Sequence, residues 1–127
     1  MNKKITILNN VIKDKGSKYS VSGAFIENES DVRIFLEELK KDKKIRKATH
    51  NTYAYRFFNN NKLIENKNDD GETGTGIIIL NQMRSKETLN TIICVTRWFG
   101  GVKLGGDRFR HVKNAVDIFL KTIDKNN

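Results

Sequence analysis

The sequence predicts a single α+β domain, and three observations carry that expectation. A chain of 127 residues is one domain's worth, enough to bury about two thirds of its unfolded surface in one core. Several stretches alternate apolar and polar residues with period two, the pattern of strands. Two others place apolar residues at i, i+3, i+4 and i+7, the stripe of a helix buried along one face.

Residues 4–12 carry Ile5, Ile7, Leu8, Val11 and Ile12 and read as a first strand. From Lys18 to Ile26 the chain alternates, with Tyr19, Val21, Gly23 and Phe25 on one face and Lys18, Ser20, Ser22 and Ala24 on the other. This is the pattern of a half-buried strand. A helix follows, with Ser30 as its expected N-cap and Asp31 in its first turn. Its stripe is Val32, Phe35, Leu36 and Leu39, and its end runs into Lys40-Lys41-Asp42-Lys43-Lys44, cations suited to a helix C-terminus. Residues 48–58 alternate again, with Asn51, Tyr53, Tyr55 and Phe57 sharing a face. Asn59-Asn60-Asn61-Lys62 is a loop tip, and Leu63-Ile64 a short return strand. Gly74-Thr75-Gly76-Ile77-Ile78-Ile79-Leu80 favours a strand by β-branched propensity, although a buried helix reaching Met83 fits equally. Residues 90–98 form a strand buried on both faces, because Ile92, Ile93, Cys94 and Val95 run almost unbroken. The last element is a helix capped by Asp107, striped by Phe109, Val112, Val116, Phe119 and Ile123.

Composition excludes some functions and invites others. No run approaches the ~20 apolar residues of a membrane span, and no apolar signal region follows Lys3-Lys4. A lone cysteine, Cys94, rules out an intrachain disulfide and a Cys-based zinc site, and suits a reducing, cytoplasmic setting. Lys and Arg total 24 against 15 Asp and Glu, a net charge of +9. That excess draws nucleic acid, acidic protein surfaces or anionic lipid. Abundant Lys and Asn with no Pro also suit A+T-rich coding, so charge alone does not select a partner.

Four motifs bear on chemistry. Asn68-Asp69-Asp70-Gly71-Glu72 holds three carboxylates in four positions. It lacks the later ligands of an EF-hand and reads as a turn opening a helix, with Asp70 and Glu72 at the positive helix end. The stretch Thr96 to Phe109 sets Gly100, Gly101, Gly105 and Gly106 between a buried strand and a helix start, with Arg97, Lys103, Arg108 and Arg110 nearby. It has the ingredients of an anion cradle but matches neither dinucleotide nor P-loop spacing. His50 and His111 sit on separate elements, and His111 follows Asp107 by one turn on the polar face of the last helix. Neither is expected to hold a metal. Lys40 to Lys47 has six cations to one acid. With Tyr53, Tyr55, Phe57 and Phe58 downstream it can form an RNA face, or simply a solvated helix end. No triad, metal set or cofactor motif emerges, so no catalytic residue and no cofactor is expected.

Three of these segments, in order, resemble the signature of the IMPACT family: Ala48-Thr49-His50-Asn51-Thr52-Tyr53-Ala54-Tyr55-Arg56, Asp69-Asp70-Gly71-Glu72-Thr73, and Arg97-Trp98-Phe99-Gly100-Gly101-Val102-Lys103-Leu104-Gly105. Lys15-Gly16-Ser17-Lys18-Tyr19 is similar to the family's entry strand. The resemblance spans residues 11–121. Trp98 to Gly101 and Gly106 to His111 look like its eukaryotic branch. It implies a two-layer α/β sandwich of the ribosomal-protein second-domain-like superfold, with helices on one face of a mixed sheet. It also implies a helix, not a strand, after the Asp-Asp-Gly-Glu turn.

In function, the resemblance implies a non-enzymatic regulator of translation. Eukaryotic members bind a large helical-repeat activator on the ribosome, which otherwise switches on the initiation factor two alpha kinase during amino-acid starvation, and some associate with actin. Such members also carry an RWD domain, and many bacterial ones a ferredoxin-like domain. At 127 residues the chain is expected to be one domain with room for neither. Thr73-Gly74-Thr75-Gly76-Ile77 replaces the family's Ser/Ala pattern. The alternative is an RNA- or ribosome-binding domain using the basic surface; no membrane partner is expected. Partner contacts are expected from the charged face of the first helix, Asp31, Arg33, Glu37, Glu38 and Lys41. His50, Asn51, Asp69, Asp70, Glu72, Arg97, Gly100, Gly101, Asp107, Arg108 and His111 are expected to gather at one rim, because strand ends and helix starts carry them.

Overall fold

The computed structural model describes residues 4–125. Five strands and four helices alternate: β1 (Thr6–Asp14), β2 (Ser17–Phe25), α1 (Glu29–Leu39), α2 (Lys43–Arg46), β3 (His50–Asn59), β4 (Lys62–Asn68), α3 (Thr75–Ser85), β5 (Thr91–Trp98) and α4 (Asp107–Lys125). The strands form one sheet in the order β1-β2-β5-β3-β4. The hairpins β1–β2 and β3–β4 turn through Lys15-Gly16 and Asn60-Asn61, all four at positive φ. Positive φ at both central residues matches the twist that a two-residue hairpin needs.

The α+β class is as expected, and α3 and α4 form a layer on the sheet. Two details differ from the resemblance. Every pairing is antiparallel, so the sheet is not mixed. The crossover from β2 to β3 leaves one position free, which β5 fills running the opposite way. The crossover from β4 to β5 likewise brackets β3. Nor do all helices share one face. Tyr19, Val21, Ala54, Ile93 and Val95 point to α3 and α4, meeting Ile79, Met83, Val112, Val116 and Phe119. Ala24, Tyr55, Phe57, Ile92 and Cys94 point to the other face, where Val32, Phe35 and Leu39 of α1 and Ile45 of α2 cover them. Period-two alternation therefore supplies two cores, and β2 is buried along nearly its whole length rather than on one side. In β5, Ile92 through Thr96 are each 1% exposed or less.

α1 begins one residue before the expected cap. Asn28, not Ser30, caps it, accepting from Asp31 N at 2.8 Å, while Asp31 Oδ2 accepts from Glu27 N at 2.8 Å. The pair closes both ends of a reciprocal cap. Leu36 is half-buried, unlike Val32, Phe35 and Leu39. The basic run does not end α1: the helix stops at Leu39, and Asp42 caps the separate α2 by accepting from Ile45 N. β4 is seven residues long, longer than the Leu63-Ile64 return expected. The Ile77–Ile79 segment is helical, as the resemblance implied and local propensity did not. Ile79, Leu80 and Met83 sink into the core, and burial overrides β-branched preference. β1 carries a bulge, with Asn9, Asn10 and Val11 set against Ser20 between the Leu8↔Val21 and Ile12↔Tyr19 pairs. Among the described residues no helix is long and apolar enough to cross a membrane.

Candidate functional site

The family-like segments meet at one rim of the sheet, where β3 and β4 face the start of α3 and the end of β5 faces the start of α4. The turn after β4 is built from its own side chains. Asn68 Oδ1 accepts from Asp70 N at 2.8 Å, and Asp70 and Gly71 sit at positive φ. Asp69 then caps α3, its two carboxylate oxygens accepting from Gly74 N (3.0 Å) and Gly76 N (2.7 Å). These bonds, Gly74's foremost, hold the Asp69 carboxyl below its ordinary range. The expectation that Asp70 and Glu72 would serve the helix end is thus corrected, since the chain's geometry gives that role to Asp69. Asp70 instead ties the turn to β3: its Oδ2 accepts from Asn51 N at 2.6 Å, and its carbonyl accepts from His50 Nδ1 at 2.8 Å.

Glu72 turns inward and is 3% exposed. Its Oε2 accepts from Arg97 Nη1 at 2.8 Å and lies 3.3 Å from His50 Nε2. Arg97, itself 6% exposed, donates from Nη2 to Ser17 Oγ at 3.3 Å, and Ser17 Oγ also accepts from Gly100 N at 3.2 Å. The glycine is needed here. A Cβ on Gly100 would overlap the backbone of Gly16 and Ser17, so the β5–α4 loop reaches the β1–β2 hairpin only because that atom is missing. The Arg97 guanidinium stands 5.7 Å from the ring centres of Tyr19 and Phe99, within cation–π range. Tyr19, wholly buried, packs 5.4 Å from the His111 ring, and burial pushes its hydroxyl up to about 12. His111 Nε2 meets Asp14 Oδ2 at 2.7 Å; that bond draws the Asp14 carboxyl down.

A chain of contacts thus runs from Asp14 through His111, Tyr19, Arg97 and Glu72 to His50, by hydrogen bonds and ion pairs at its ends and by ring packing through Tyr19, drawn from β1, β2, β3, β5, α4 and the turn before α3. Arg108 closes the rim, donating to Thr73 O at 3.1 Å. Among the expected rim residues, three take no part in this chain of contacts. Asn51 points to the opposite face, bonded to Ile45 O (2.9 Å) and Thr96 Oγ1 (2.7 Å), as strand alternation dictates. Asp107 is the first helical residue and faces Arg110 at 3.4 Å. Gly101 lies in open loop space. His111 is corrected too. It is 5% exposed and pairs with Asp14, because its position on α4 faces the sheet rather than Asp107. Sequence reasoning missed Ser17, Tyr19 and Asp14 as members of this chain. Their entry-strand position was visible, but partners 97 and 80 residues away leave no local signal.

Elsewhere, Cys94 is buried among core residues, and burial pushes its thiol up to about 12; it is a packing residue, not a nucleophile. On α1, Arg33, Glu37 and Glu38 are exposed; the expected Lys41 lies past the helix end at Leu39, exposed and paired with Glu38 at 2.7 Å.

Comparison with known proteins places this geometry among relatives. The family model described as the Impact N-terminal domain matches residues 15–120. The IMPACT homolog of Dictyostelium discoideum is 39% identical over 116 residues, 91% of this chain and 34% of its own length. The IMPACT homolog of Schizosaccharomyces pombe is 37% identical over 106 residues, 83% of this chain and 38% of its own. Mouse (Mus musculus) IMPACT is 38% identical over 117 residues, 91% and 36%. The chain therefore spans about a third of the length of these curated relatives. A crystal structure of a hypothetical protein superposes with TM-score 0.77 at 20% identity, over 95% of this chain and 61% of the other, a likeness of fold. The two-domain translational regulator Yih1 superposes with TM-score 0.58 at 34% identity, over 84% of this chain and 42% of Yih1.

Proposed function

The chain belongs to the Impact N-terminal domain family, and from that premise we propose that it is a non-catalytic binding module in translational control, acting in the cytoplasm. The observation that carries this reading is the 34% identity to Yih1, a translational regulator, across 84% of the chain. The rim geometry supports it. The charged groups there are engaged with one another and with the backbone: Glu72 with Arg97, His111 with Asp14, Asp69 with the α3 amides. Breaking the buried Glu72–Arg97 pair would strand a charge, and these side chains are committed to one another and to the backbone.

In this reading the module occupies the ribosome-associated helical-repeat activator and so restrains the initiation factor two alpha kinase during amino-acid starvation, with actin as a second partner. The contact is the outer face of α1, where Arg33, Glu37 and Glu38 project beside Asp31, together with Lys41 just past the helix end. The charges of this face select the partner more than they hold the fold. The test is retention of the activator from a native lysate by wild type and by the Glu37→Lys, Glu38→Lys double variant, with thermal melts of both. Wild type should retain the activator. The double variant should lose it while melting within about 1 kcal/mol of wild type, since exposed charges contribute little to stability. Equal retention by both would remove α1 as the contact, and retention by neither would remove the activator as partner.

A further inference from the structure

The face of the sheet that α1 and α2 share is not fully covered. Beside α2 lies an open groove of about 970 Å³. Its walls come from the bulge of β1, from β2, from α2 and from the end of β5. Four lysines border it, Lys18, Lys43, Lys44 and Lys47, against one acid, Asp42, and all four are exposed. The Asp42 carboxylate is engaged, accepting from Ile45 N at 3.2 Å. Asn9, Asn10 and Ser20 complete the lining, with Ser20 Oγ accepting from Asn10 N at 3.0 Å. At one end stands Trp98, the sole tryptophan. It is part-exposed, and Nε1 donates to Lys44 O at 3.0 Å, which holds the ring in one orientation.

We propose that this groove binds single-stranded nucleic acid, with the four lysines on its phosphates and Trp98 as a platform for one base. The site is separate from the α1 face and does not rest on the protein-partner reading. Three features select this occupant. The border is a positive stripe of four charges around a concavity, which phosphates fill with release of their counterions. The lining holds two apolar residues, Trp98 and Ile45, and Ile45 is 2% exposed. A protein partner needs an apolar anchor cluster at its centre, whereas nucleic-acid interfaces are polar and cationic. A fixed aromatic ring beside a cationic track is the arrangement that binds single strands by stacking. Of the four aromatics that the sequence suggested for such a face, Tyr55 and Phe57 are 4% and 1% exposed beneath α1, and neither they nor Tyr53 and Phe58 line this groove.

The test uses the whole chain and a fluorescein-labelled oligouridylate of about twelve nucleotides, within the usual site size of such grooves. Anisotropy of the label gives affinity as a function of salt, and the emission of Trp98, free of other indoles, reports on the groove itself. Binding should quench that emission. The Lys44→Glu, Lys47→Glu double variant should bind about tenfold more weakly, and the slope of log affinity against log salt should flatten by about 1.4, at about 0.7 for each phosphate left without its lysine on a single strand. The Lys113→Glu, Lys121→Glu variant, on α4 across the sheet, should bind as wild type does. Saturation without quenching, or equal weakening by both variants, would overturn the proposal. A polyglutamate peptide that binds as tightly and quenches equally would also overturn it, assigning the groove to acidic protein segments.

Discussion

Replacing Arg97 with Met removes the cation from a buried pair and leaves its partner in place. Glu72 is 3% exposed, so its carboxylate cannot turn to water when the 2.8 Å bond from Arg97 is gone. The neighbour that remains is His50 Nε2 at 3.3 Å. Breaking one side of a buried pair costs about 3–5 kcal/mol, most of it the stranded charge. At about 4 °C per kcal/mol for a domain of this size, the melting temperature should fall by about 12–20 °C. The variant also takes the guanidinium donor from Ser17 Oγ, which keeps the bond from Gly100 N at 3.2 Å. Glu72→Leu should cost a similar amount by stranding Arg97. The Arg97→Met, Glu72→Leu double variant removes both charges and should cost less than the two singles together, by about 0.5–3 kcal/mol of coupling. Urea denaturation followed by circular dichroism, on all four proteins of the cycle, measures this. Single variants each costing under about 1 kcal/mol, or losses that simply add, would refute the reasoning, because they would mean that the two groups are solvated separately.

Two further outcomes follow from other parts of the rim and core. Asp69→Ala should lose about 1–2 kcal/mol as a helix cap, and the loss should depend on pH. The folded-state carboxyl lies below its ordinary 3.8, chiefly through the Gly74 amide, so its contribution is present above about pH 4 and disappears as pH falls through the lower folded value; melts of wild type and variant from pH 7 to pH 2 should converge at the acid end. Cys94, pushed up from 9.0 to about 12 by burial, should resist a thiol reagent at pH 8 in the native state and react fully in denaturant, and its titration should lower stability as pH rises above about 9, where the unfolded thiol ionises first.

What the sequence made legible divides by distance along the chain. Strand faces were plain in β2 and β3, which alternate, and the unbroken apolar run of β5 marked it as buried on both faces, although the burial of the polar face of β2 was not legible; the two stripes of α1 and α4 were visible in spacing alone. The end of α1 and its cap were misjudged because Asn28 and Ser30 are chemically equal candidates, and the reciprocal bond from Glu27 to Asp31 decides between them. The Ile77–Ile79 helix came from the family resemblance and not from propensity, which weighs a residue alone, whereas Ile79 and Met83 are placed by packing in one core with α4. Of the rim, the local turn was readable and the network was not. Asp69 reaches amides five and seven residues away, but Arg97, Glu72 and Ser17 meet only after the sheet has ordered β2 beside β5. His111 looked like a surface residue for the same reason, its Asp14 partner being on the first strand. Trp98 carried no signal at all for the groove, because its neighbours there come from β1, β2 and α2.

The place of β5 in the sheet has a consequence for the order in which the molecule is made. The strand at the centre is the last to be synthesised. Until residue 98 is complete, β1–β2 and β3–β4 are two separate hairpins, each with an open edge where β5 will lie, and an isolated hairpin is marginal in water. Every pairing that joins the halves, from Lys18↔Trp98 to Tyr55↔Ile92, spans dozens of residues. Chains rich in such distant pairings fold slowly, and their unpaired edges are exposed to association meanwhile. The nascent protein is therefore expected to complete its two cores late, when β5 pairs between the hairpins and α4 covers one face. A chain arrested before Trp98 leaves a ribosome with both hairpins and neither core.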